Sequence, residues 1–79
     1  RARVEAAGTR VRQAEEAAMI SRARFSEGAL LSAELIGVEA RLTDARMRRV
    51  IATAEERVAT AMLRRAAGLE ILPDASTHP

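Results

Sequence analysis

Val4, Ala7, Val11, Ala14, Ala18, Ser21 and Phe25 stand three and four residues apart in strict alternation. A seven-residue repeat of this kind gathers small and apolar side chains into one stripe of a helix, the stripe that a coiled-coil neighbour covers. A strand needs a period of two, and β-branched and aromatic residues are too scarce here to build one. The fold class that follows is all-α, an antiparallel hairpin of long helices packed in coiled-coil fashion. Alanine fills 18 of the 79 positions, while Leu, Ile, Val, Met and Phe together fill 20. Nearly half of the apolar side chains therefore bury only a methyl group, which suits helices that approach closely. The absence of Cys excludes disulfide scaffolds and Cys-ligated zinc folds. No run reaches the roughly 18 apolar residues of a spanning helix.

Residues 1–25 read as the end of a long helix. The chain opens on Arg1 without Met or a signal-peptide pattern, so the helix is expected to begin upstream, in a longer parent. Gly8 costs this helix about 1 kcal/mol relative to Ala and is expected to let a neighbour come close. The seam runs out at Phe25. Residues 26–31 form the hairpin tip, with Gly28 suited to the left-handed conformation that ends helices. Ser32 is expected to cap the return helix, with Leu31 stapled against Ile36 and Glu34 facing the positive helix end.

The return helix spans 32–67, a rod of roughly 50 Å at 1.5 Å per residue, too long for a compact globule of this size. It carries two stripes. One runs Leu35, Val38, Leu42, Ala45, Arg49, Ala52, Glu56, Ala59, Leu63 and Ala66; the other runs Met47, Val50, Ile51, Ala54, Val58, Ala61 and Met62. Two apolar stripes imply two neighbours, whereas a free two-helix hairpin needs one. Arg49, inside the first stripe, is expected to lay its stem over apolar neighbours and carry its charge outward. Gly68 is expected to end this helix, with Leu69 folding back on Leu63 and Pro73 preventing continuation. Residues 68–79 are then a C-terminal tail.

All thirteen cations are Arg, against eleven carboxylates. The two signs are interleaved and stacking aromatics are missing, which argues against a nucleic-acid binder. Arg1 with Glu5, Arg12 with Glu15 or Glu16, and Asp44 with Arg41 or Arg48 are spaced for intrahelical pairs. Glu39, Glu55 and Glu56 have no cation three or four residues away; each either faces solvent or pairs with another helix. No catalytic residue stands out, because Ser21, Ser26, Ser32 and Ser76 lack a base at any recognisable spacing and no Gly-rich phosphate loop exists. His78, alone in the tail, and the scattered Met19, Met47 and Met62 make no metal site. No enzyme activity and no cofactor are expected.

Arg24-Phe25-Ser26-Glu27-Gly28, then Glu34-Leu35-Ile36, Leu42 and Ala45, and finally Ala66-Ala67-Gly68 form a set that resembles the C-terminal helical hairpin of TolC-like outer-membrane efflux proteins. In that family a periplasmic helix ends in an Arg-aromatic-x-x-Gly turn. The return helix opens with an acidic "LEVLDA" type segment and closes on "ALG". The match needs no gap over more than forty residues. Gly37 stands where the family has the Asp of "LDA", which removes one of its two acidic positions.

The resemblance implies a homotrimeric channel whose barrel spans the outer membrane and whose periplasmic α-barrel includes this hairpin as wall. It implies a tip, at Gly28, Ala29 and Leu30, that meets the hairpins of a periplasmic adaptor protein coupled to an inner-membrane pump. Phe25 would anchor packing at that tip, and Glu34 would line the periplasmic aperture. The function so implied is passive export, with energy from the pump. The alternative is a structural or interaction coiled coil of another class, such as the helical hairpin of a periplasmic adaptor.

Overall fold

The computed structural model describes the backbone of residues 1–71 and the side chains of residues 1–68. Two helices account for it: α1, Ala2–Ser26, and α2, Ser32–Ile71. They lie antiparallel along one shared seam, and at 1.5 Å per residue the longer rod extends about 60 Å. The all-α hairpin expected from the heptads is the fold.

The turn between them follows from one glycine. Glu27 ends α1 in a right-handed conformation, and Gly28 then takes φ 77°, the only positive φ among the described residues. Its amide donates to the Phe25 carbonyl at 3.0 Å and the Ala29 amide donates to the Arg24 carbonyl at 2.8 Å. These are the two bonds of a Schellman motif, which satisfies carbonyls that the ending helix leaves open.

At the start of α2 the structure departs from expectation. The amides of Glu34 and Leu35 both donate to the Leu31 carbonyl at 3.1 Å, so Leu31 holds the capping position and Ser32 is already helical. From there the Ser32 hydroxyl caps no amide among the described residues. Leu31 and Ile36 form no staple, since they remain 70% and 68% exposed. The far end differs too. Gly68 stays in a right-handed helix, and α2 runs one turn past the expected stop at 67, to Ile71. Gly in a helix costs only about 1 kcal/mol, which the long rod absorbs. The expected Leu69–Leu63 contact, residues 72–79 of the tail and His78 lie outside the described residues.

Packing is confined to the seam. Ala7, Val11 and Ala18 of α1 and Leu42 of α2 are buried, with Val4, Ala14, Ser21, Leu35, Val38, Ala45 and Ala52 partly covered around them. Every one of these was placed on the two facing stripes by spacing alone. Leu42, 2% exposed, is the largest buried side chain. Gly8 does not serve a close helix crossing: a β-carbon there would meet only the Arg12 guanidinium, at 4.0 Å.

Ion pairs pin the register along the seam. Arg22 donates two hydrogen bonds to Glu39, including Nη2 to Oε2 at 2.8 Å. Glu15 accepts from Arg46 at 3.4 Å, Arg3 lies 3.6 Å from Glu55, and Arg1 donates to Glu56 at 3.2 Å. The three glutamates without intrahelical cations thus all find arginines on the other helix. Arg22 and Glu15 meet Glu39 and Arg46 with reversed polarity, so sliding one helix by a heptad would bring like charges together. Arg1 also approaches Glu5 at 3.9 Å, and Arg48 donates to Asp44 at 2.7 Å, as intrahelical spacing predicts. Arg12 instead donates to the Thr9 hydroxyl at 3.1 Å, while Glu15 is drawn across to Arg46.

Candidate functional site

Two surfaces are left over once the seam is filled. One is the tip. Gly28 and Ala29 are exposed, Phe25 is 43% exposed, and Glu34 is exposed in the first turn of α2. Leu30 is half-buried, so the leucine that the tip presents outward is Leu31. With Ile36 one turn on, Leu31 and Phe25 make the end of the hairpin apolar. Assigning Leu31 and Ile36 to a staple hid that property.

The other surface is the outer face of α2. Met47, Val50, Ile51, Val58 and Met62 are between 52% and 67% exposed. At 3.6 residues per turn, Met47, Ile51, Ala54, Val58 and Ala61 fall about 180° around the helix from Leu42, Ala45 and Ala52. They repeat at four and three residues and therefore form a second seam of coiled-coil type. Nearer the tip the same stripe is small, with Ala33, Gly37 and Ala40, and a β-carbon on Gly37 would meet nothing within 4 Å. α1 has no such strip: its outward residues include Thr9, Gln13 and Glu16, with the small Ala2 and Ala6 at the far end and Ile20 and Ala23 nearer the tip.

Charge frames this outer strip asymmetrically. Arg46, Arg49 and Arg57 border a shallow hollow floored by Val50, Thr53 and Ala54. Arg49 is exposed, as its place in the first stripe required if its charge was to leave the seam. Glu56 is the discordant member of the inner seam. Its Oε1 takes the bond from Arg1, while its buried Oε2 has no partner, and a lone buried oxygen costs stability.

The titration behaviour follows from the cross-helix pairs. The two hydrogen bonds from Arg22 hold the Glu39 carboxyl below its ordinary value, and Glu39 in turn raises Arg22. The Asp44 carboxylate, through its hydrogen bond, raises Arg48. These pairs orient the helices and do not make a reactive centre. Among the described residues no group of three metal-ligating side chains gathers, and no helix is long and apolar enough to cross a membrane.

Compared with protein-family models, with curated proteins and with solved structures, the chain matches none.

Proposed function

We propose that the chain is a stave: one hairpin in a wall of long helices that encloses an export conduit, in the manner of the periplasmic α-barrel of TolC-like outer-membrane efflux channels. The observation that carries this reading is the open apolar seam of α2, Met47, Ile51, Ala54, Val58 and Ala61, on the side away from α1. A helix in a curved wall must be apolar on two flanks, while the surface between them meets water. In α2 the bands between the seams hold Glu34, Arg41, Arg48 and Glu55 on one side and Glu39, Arg46, Arg57 and Arg64 on the other.

The tip completes the reading. A rigid Schellman turn bearing exposed Gly28, Ala29 and Leu31 offers a narrow apolar end on which another hairpin tip can dock. Glu34 stands beside it, and copies of Glu34 brought round an aperture would attract cations. In this reading the parent is a passive homotrimeric conduit, resident in the outer membrane with this segment in the periplasm. It is joined through an adaptor to an inner-membrane pump and has no catalytic step of its own.

Planar-bilayer conductance of the full-length parent tests it. Glu34→Ala is expected to weaken cation selectivity or cation block, and crosslinkers at Ala29 or Leu31 are expected to capture the adaptor. A parent that forms no conducting channel overturns the reading, and an unchanged Glu34→Ala trace removes Glu34 from the aperture.

A further inference from the structure

We infer that the outer seam of α2 is the docking face for an acidic helix: a partner of different sequence from this chain, apolar along one stripe and lined with carboxylates on both flanks of that stripe. The inference rests on the two-sided reading of α2 and adds the chemistry of the neighbour.

In a coiled coil the seam residues supply the contact, and the residues flanking the seam choose the partner by charge. Ile51 and Val58 form one row of the outer seam, while Met47, Ala54 and Ala61 form the other. Each row has a flank of the same seven-residue period beside it. Level with the apolar stretch, one flank holds Val50, Arg57 and Arg64, and the other holds Arg48, Glu55 and Met62. The second flank continues towards the tip to Arg41 and, a heptad further, to Glu34, outside the apolar stretch. Extending the Ile51 row by one heptad each way reaches Asp44 and Arg65, so charge closes the stretch at both ends. From Met47 to Ala61 it covers about 21 Å at 1.5 Å per residue, which a helix of three heptads fills.

Once the chain's own ion pairs have formed, the charge left along this stretch is of one sign. Glu55 lies 3.6 Å from Arg3, and Asp44 accepts from Arg48 at 2.7 Å. Arg41, Arg57, Arg64 and Arg65 are exposed and have no carboxylate within salt-bridge distance among the described residues. Arg57 and Arg64 border a hollow beside Ala61 that also holds Glu56, whose Oε1 is taken by Arg1. A helix with carboxylates on its flanks therefore meets unsatisfied cations on both sides of the seam, and a basic one is repelled.

The other covers fit less well. α2 of a second copy brings the same arginines, with its Asp44 and Glu55 already engaged. α1 of a second copy offers Glu16 as its one carboxylate outside an ion pair among the described residues, against Arg10, Arg12 and Arg24. A membrane surface also attracts basic amphipathic helices but rewards bulky and aromatic side chains. Ala54 and Ala61 give it little to bury, and they let a helix come close.

The full chain is titrated with two peptides of three heptads, each with Leu along one seam, one carrying Glu and the other Lys at every flanking position. Fluorescence anisotropy reads binding, and circular dichroism checks the helicity of each variant. The glutamate peptide is expected to bind about tenfold tighter or more, the ratio that a few exposed ion pairs supply. That preference is expected to reverse in Arg57→Glu/Arg64→Glu and to persist in Arg12→Glu/Arg24→Glu, which makes the same change of charge on α1. Ile51→Gln/Val58→Gln is expected to bind neither peptide. Four results overturn the inference: no binding of the glutamate peptide, whether or not the chain pellets with phosphatidylserine vesicles; equal binding of the two peptides; reversal by the α1 pair as well as the α2 pair; or self-association of the chain that an excess of the glutamate peptide leaves intact. Any of these beside a conducting parent channel leaves the stave reading standing with a neighbour of other chemistry. The expected binding beside a parent that does not conduct leaves the docking face standing without the stave.

Discussion

The two faces of α2 are built from similar residues, yet only one of them is covered. On the inner face Leu42 is 2% exposed, whereas on the outer face Ile51 is 52% exposed and Val58 59%. Spacing is coiled-coil-like on both. What separates them is the neighbour: α1 supplies Ala7, Val11 and Ala18 to the first, and nothing in the described chain covers the second. Apolar periodicity therefore reports how many partners a helix expects, and the structure of one chain reports how many it has.

The contrast can be broken most forcefully at Leu42. Leu42→Ala is expected to destabilise the hairpin by about 2–5 kcal/mol, as removal of a buried leucine does. Thermal unfolding followed by circular dichroism reads the change. A loss comparable to that of an outer-face substitution would mean the two faces are not energetically distinct.

Gly28→Ala comes next. A left-handed φ of 77° costs a residue with a β-carbon about 1–2 kcal/mol. The loss should appear as a lower unfolding midpoint with an unchanged outer face.

Gly8→Ala is expected to act in the opposite direction and to stabilise the hairpin by about 1 kcal/mol. The helix gains propensity there, and the nearest atom to the new methyl group is 4.0 Å away. A destabilised variant would show that α2 comes closer to Gly8 than the seam geometry indicates.

Acid should weaken the inner face by a smaller step. Arg22 lowers the Glu39 carboxyl in the folded chain, so the folded state holds this proton less tightly than the unfolded one. The stabilisation is complete above the ordinary glutamate value of about 4.3 and fades as pH falls below it through the lowered folded value. Unfolding midpoints measured from pH 7 to pH 2 should show this fall in the parent chain and a shallower one in Arg22→Ala. Arg22 is exposed and Glu39 half-buried at the surface, so salt should diminish the difference.

Smallest of all, Ile51→Ala in a monomeric hairpin is expected to change stability by no more than about 0.5 kcal/mol, the range of surface positions away from special features. The same substitution matters only where a neighbour is bound.

The hairpin was legible because its signals were local or periodic. The α1 stripe and Gly28 as the left-handed turn follow from spacing and backbone sterics, and α2 begins at the expected Ser32 though without the side-chain cap expected there. For the cross-helix ion pairs, exclusion left two options open, since Glu39, Glu55 and Glu56 had no cation three or four residues away and could face solvent or pair across the seam. Competing terms of about one kcal/mol obscured the rest. Gly68 can end a helix but also continue one, and only its neighbours decide. Ser32 is a good cap, yet it is the Leu31 carbonyl that accepts the first amides of α2. Arg12 had carboxylates at helical spacing, yet Glu15 goes across the seam to Arg46, which only the register of the pair specifies. Leu31 and Ile36, the exposed apolar residues of the tip, were hidden for the same reason: a local staple was assigned to side chains that face outward.

The most direct test of a two-sided α2 is sedimentation equilibrium of the chain over a wide concentration range, beside Ile51→Gln/Val58→Gln. Concentration-dependent association of the parent chain, lost in the double variant while helicity and unfolding midpoint at low concentration are kept, is the expected result. A parent chain that stays monomeric at every concentration, as stable and as helical as the variant, would contradict it.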